Sequence, residues 1–80
     1  MSHPDTKFAQ SVQKALGERV RNLRAKNGWP SPEAFADACG ISPNRLQRVE
    51  RGETNLTLSM IATIAEKLKT TVSELFEGIM

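Results

Sequence analysis

The stretch Pro32-Glu33-Ala34-Phe35-Ala36-Asp37-Ala38-Cys39-Gly40-Ile41-Ser42-Pro43-Asn44-Arg45-Leu46-Gln47-Arg48-Val49-Glu50-Arg51 decides how the chain folds. It gives the same start signal twice, Ser31 before Pro32 and Ser42 before Pro43. A serine hydroxyl accepts from an orphan amide of a first helical turn, and a proline at the first position lacks only an N–H that the helix would leave unused. The first helix therefore runs from Pro32 to about Cys39 and stops at Gly40, which enters the left-handed region without a steric penalty. The second runs to about Arg51 and stops at Gly52. Phe35, Ala36 and Cys39 form the inward side of the first, and Leu46 with Val49 that of the second.

Upstream, Phe8, Val12, Leu16, Val20 and Leu23 recur at spacings of four and three and mark the apolar stripe of a long helix ending near Lys26. Asn27-Gly28 stops it, and Trp29-Pro30 leads to Ser31. Downstream, Thr57 caps a fourth helix with Leu58, Ile61, Ile64, Ala65 and Leu68, and Thr71 with Glu74 forms a capping box opening a fifth with Val72, Leu75 and Phe76. No segment alternates with period two. The predicted architecture is all-α, five helices in a single domain over residues 7–80, after a flexible tail of residues 1–6.

The chain has 80 residues with 11 Lys and Arg against 9 Asp and Glu. A core is within reach at this length, but a deep substrate cavity is not. The net charge of +2 hides an asymmetry. Residues 19–51 hold seven cations against three acids, whereas residues 52–80 hold two against four. A basic centre suits a polyanion, and a solvated basic face is the competing reading. One cysteine, Cys39, cannot close an internal disulfide, and with His3 alone beside it cannot build a Cys/His zinc site. A small core side chain is favoured for Cys39 over a redox switch. No apolar run reaches membrane-span length and the first residues lack a secretory signal, so a cytoplasmic location is expected. There is no nucleophile triad, carboxylate cleft or phosphate-cradling glycine loop, so neither enzyme activity nor a cofactor is expected.

Within Pro32 to Arg51, Ala36 lets two helices approach closely, Gly40 makes the turn, Ile41 plugs the corner, and Leu46 with Val49 seats the second helix on the first. These are the needs of a helix-turn-helix. From about Leu16 through Phe76, roughly three quarters of the chain, the sequence resembles the lambda-repressor-like (Cro/repressor, XRE-type) helix-turn-helix family. The resembling segments are Leu16-Gly17-Glu18-Arg19-Val20-Arg21-Asn22-Leu23-Arg24, Phe35-Ala36 through Gly40-Ile41-Ser42, Val49-Glu50-Arg51-Gly52 and Leu58 through Leu75. Around Glu50-Arg51 and Asn55-Leu56-Thr57 it is similar to restriction-modification controller proteins. The resemblance implies a five-helix domain that binds operator DNA as a homodimer. It also implies a partly buried ion pair between Arg24 and Glu50, and a backbone contact from Arg51.

Helical geometry points independently to the same face. At roughly 100° per residue, Leu46 and Val49 define the inward side of the third helix, leaving Asn44, Gln47, Arg48 and Arg51 outward and Arg45 on the flank. Asn or Gln can pair with adenine, and Arg with guanine O6 and N7, in a major groove about 12 Å wide. Asn44 and Arg48 are the first candidates for bases, with Gln47 and Arg45 behind them. Helix N-termini attract phosphate, so Ser31, Ser42 and the loop Thr54-Asn55 are candidate phosphate seats, although in Ser42 capping and DNA contact compete for one oxygen. A merely solvated helix face is the alternative.

The chain departs from the family at Pro32 and Pro43, which stand where Gln and a polar base reader are common. The loop carrying Trp29-Pro30 is one residue longer, and Lys69 replaces a usual Gly. Trp29 reads as a lid over the end of the first helix, with a stacking platform for bases as the rival. Leu75, Phe76 and Ile79 form an apolar end that needs either a second copy or the domain's own core, and Phe8 with Val12 offers a second interface. The competing function is an antitoxin-like protein-binding module whose contact with DNA is secondary.

Overall fold

The computed structural model describes residues 6–79. His3 and all but the last residue of the expected tail lie outside them. Five helices follow in order: α1 Lys7–Lys26, α2 Pro32–Cys39, α3 Pro43–Glu50, α4 Leu58–Lys67 and α5 Val72–Leu75. No strand occurs among the described residues.

Each helix begins on a hydroxyl that accepts a first-turn amide. Thr6 accepts from Ala9 at 3.2 Å, Ser31 from Ala34 at 3.2 Å, Ser42 from Arg45 at 3.1 Å, Thr57 from Met60 at 3.1 Å and Thr71 from Glu74 at 3.0 Å. Each such cap contributes about 1 kcal/mol, and together they fix the helix starts that the sequence announces. The ends are equally local. Gly40 takes φ +74° and the Ile41 amide reaches back to the Ala36 carbonyl at 3.0 Å, which turns the chain abruptly from α2 into α3.

The core is built from every helix. Leu16 and Val20 of α1, Phe35 and Ala36 of α2, Leu46 and Val49 of α3, Ile64 and Ala65 of α4, Leu68 just beyond it and Leu75 of α5 are buried. α3 packs on both α1 and α2, α2 also packs on α4, and α5 closes against α4 and α1. Cys39 and Ile41 are half-buried at the edge of this core, and burial pushes the Cys39 thiol up from its ordinary value, partly offset by Lys67. Trp29 meets Phe35 edge-on, ring centroids 5.2 Å apart, so it covers the core where α1 ends.

Two expectations change. Leu75 is 1% exposed and lies in the monomer's own core, so it cannot form a surface for a second copy. One-turn helix α5 turns it inward while Phe76 and Ile79 remain half-buried at the surface. Thr6, expected within the tail, instead caps α1, and the rest of that expectation lies outside the described residues.

Candidate nucleic-acid interface

α3 is divided sharply into a seat and a display. Leu46 and Val49 are 0% and 2% exposed, whereas Asn44, Arg45, Gln47 and Arg48 are all exposed. Burial of the two apolar side chains against α1 and α2 fixes the rotation of the helix, and the four polar ones follow from it by helical geometry. Among the described residues, neither Arg45 nor Arg48 has a carboxylate within ion-pair distance, the pairs present being Arg24–Glu50 and Arg51–Glu53. Arg51 is exposed and meets Glu53 at 3.2 Å. An exposed pair of this kind holds its partners weakly, so Arg51 is free to exchange Glu53 for another anion.

The structure sorts the cations of the basic centre by what they touch. Arg24 grips Glu50 at two points, Nε to Oε2 at 2.7 Å and Nη2 to Oε1 at 3.2 Å, with both side chains nearly buried. Its charge is spent inside the protein. Arg19, half-buried, donates from its guanidinium to the carbonyls of Glu74 at 2.9 Å and Glu77 at 2.7 Å and thereby ties residues 74–77 to α1. Arg21 was not singled out by sequence reasoning. It is exposed on α1, four residues from Gly17 and three from Arg24, both of which meet the end of α3, so helical spacing puts it beside the α1–α3 contact. That spacing was the available signal.

Ser31 and Ser42 both cap their own helices. Capping engages an oxygen lone pair, whereas a phosphate accepts the hydroxyl proton, so the two roles do not compete as expected. Pro32 and Pro43 occupy the first helical positions and supply no N–H. In the loop after α3, the Thr54 hydroxyl donates to the Asn55 carbonyl at 3.4 Å, and Asn55 Oδ1 accepts from Gln13 Nε2. Gln13 thereby orients the Asn55 amide and leaves its N–H groups available.

Beside this loop lies an apolar groove of about 570 Å³ lined by Phe8, Val12, Leu16, Leu56, Ile61 and Phe76. Phe8 is 67% exposed on its rim. The groove and the loop are therefore neighbours, with Asn55 of the loop and Gln13 of α1, joined by their hydrogen bond, both in the groove wall. No described helix is long and apolar enough to cross a membrane, and no three described His, Cys, Asp or Glu side chains converge to hold a metal.

The helix-turn-helix family matches residues 20–75, and the chain belongs to that family of DNA-binding transcription regulators. Among its relatives, the control protein C.SmaI of Serratia marcescens is 36% identical over 64 residues, covering 80% of this chain and 75% of that protein. The solved restriction-modification controller protein C.AhdI of Aeromonas hydrophila superimposes with a TM-score of 0.75 at 34% identity, covering 80% of this chain and 96% of the other. The P22 c2 repressor, solved in complex with a synthetic operator, gives 0.70 at 25% identity, covering 79% and 94%. The fold is that of the lambda-repressor-like domains.

Proposed function

We propose that the chain is a sequence-specific regulator of the repressor or controller type that binds duplex DNA in the cytoplasm as a homodimer and lays α3 in the major groove. The observation that carries this is the outward face of α3, where Asn44, Arg45, Gln47 and Arg48 are exposed on a helix whose rotation is fixed by buried Leu46 and Val49. A helix is about as wide as the groove, and these side chains carry the donors and acceptors that distinguish base pairs. In this reading Asn44 and Arg48 read bases, with Gln47 and Arg45 as auxiliaries. Ser31, Ser42, Arg51, Thr54 and Asn55 hold phosphates, Arg21 adds charge at the edge, and Arg24 with Glu50 fixes the scaffold.

The groove supports dimerisation. Phe8, Val12 and Phe76 present apolar surface to solvent, with Ile79 nearby in sequence, and a two-fold contact would cover the same patch on both copies. Two recognition helices held about 34 Å apart would then enter successive major grooves of one duplex face. The similarity to a repressor solved with an operator and to a restriction-modification controller supports the assignment.

Selection of duplexes from a random pool tests it directly. The expected product is a palindromic site whose half-sites lie about one helical turn apart, with affinity that falls steeply as salt rises. Recovery of no preferred sequence, or affinity indifferent to salt, overturns the reading and favours the protein-binding module.

A further inference from the structure

We infer that Gly17 is a positioning residue for base reading, because it sets how closely α1 approaches the end of α3 and hence the angle at which Asn44 and Arg48 are presented. This rests on the function proposed above. A glycine in the middle of a 20-residue helix weakens that helix, so its presence calls for a contact that only glycine allows. The contact is there. A methyl carbon at Gly17 would lie 2.7 Å from the Glu50 carbonyl oxygen and 2.9 Å from its carbon, and closer still to the Val49 carbonyl oxygen. All three are backbone atoms, so no change of rotamer relieves the clash.

Gly52 makes the reciprocal approach one turn away. Its φ is +74°, and a methyl carbon there would stand 2.6 Å from the Lys14 Cα. The Arg24–Glu50 ion pair adds a third attachment two turns further along α1. All three hold the C-terminal end of α3. Its N-terminal end is joined to α2 through the tight Gly40 turn. α3 therefore behaves as a lever pivoting at Gly40, with α1 fixing the far end.

An added methyl at Gly17 must push residues 49–50 away by several tenths of an ångström, up to roughly 1 Å, to restore an ordinary carbon–oxygen contact. Base contacts require placement within about 0.5 Å, whereas flexible cations on phosphates can follow a small tilt. Discrimination should suffer more than overall affinity.

The test is Gly17→Ala, assayed by competition between the selected duplex and a scrambled duplex, with a crystal structure of the variant. The expected result is at least a tenfold fall in the preference ratio, scrambled-duplex affinity and salt slope within twofold of wild type, and the end of α3 displaced from α1. If the folded variant keeps its ratio, or loses affinity for both duplexes equally, Gly17 merely supports the fold and the inference fails. Should Gly17→Ala not fold, the double variant Arg24→Met/Glu50→Met decides, since exchanging a buried pair for apolar side chains preserves stability while loosening one of the three attachments that set the angle of α3, for which a smaller fall in the ratio at unchanged scrambled-duplex affinity is expected. A retained ratio there overturns the inference. A wild type without any preference would instead defeat the proposed function, a distinguishable outcome.

Discussion

Arg24 and Glu50 join the last turns of α1 and α3 through a two-point ion pair in which both side chains are about one-tenth exposed or less, 11% and 8%. Removing one partner leaves the other charged and nearly buried. Glu50→Ala should therefore destabilise the domain by about 3 to 5 kcal/mol, a large share of the roughly 4 to 12 kcal/mol expected of a chain this size. Denaturant titration of the single variant against Arg24→Met/Glu50→Met checks this, with the double variant expected near wild type.

Arg48 and Arg51 should fail in different ways. Arg48→Ala is expected to cost about 1 to 3 kcal/mol on the preferred duplex and relax selection at one base position, while Arg51→Ala weakens all duplexes alike and lowers the salt slope by about one. Equilibrium binding at several salt concentrations separates the two. Equal affinity of wild type and Arg48→Ala for every sequence would remove Arg48 from the reading role.

Lys69 follows α4 with φ +58°, the single non-glycine residue in the left-handed region among those described. The Thr70 amide reaches the Ala65 carbonyl at 3.0 Å, so the turn is needed to close α4. Lys69→Gly removes the strain at the cost of a more flexible unfolded chain, and should gain about 0.5 to 1 kcal/mol. Thermal unfolding would show a raised midpoint.

Glu74 completes the α5 capping box, and hydrogen bonds from the Thr70 hydroxyl, the Thr71 amide and the Thr71 hydroxyl lower its carboxyl below the ordinary 4.5. The folded state thus binds the proton less readily than the unfolded one. Its contribution is complete above the unfolded value and disappears as pH falls through the depressed folded value. The difference in melting temperature between wild type and Glu74→Ala should be present at pH 7 and vanish in strong acid.

Phe8 provides the cleanest probe of dimerisation, because it is exposed and outside the core. Phe8→Asp is expected to sediment as a folded monomer and to bind the full palindrome far more weakly. An unchanged dimer would move the interface elsewhere.

The helix starts and turns were legible in the sequence because each depends on residues three to six positions apart: Ser31 with Ala34, Ser42 with Arg45, Gly40 with Ile41 and Ala36. The outward face of α3 was legible for the same reason, once Leu46 and Val49 fixed its rotation. Arg19 was not. Its acceptors are carbonyls 55 to 58 residues away, and carbonyls have no sequence signature. Gly17 stood within a recognisable segment, but its reason is another backbone that approaches only after folding. Leu75 and Phe76 looked alike as apolar neighbours, and the choice of which turns inward belongs to the docking of α5.

The edge-on contact of Trp29 with Phe35 gives the chain an optical reporter of its own, since there is one tryptophan in the sequence. Two residues before Ser31, the indole sits between the interior and the entrance to α2. Its emission would register loss of the interior on unfolding and disturbance of that entrance when a polyanion arrives, without a dye attached to the surface under study.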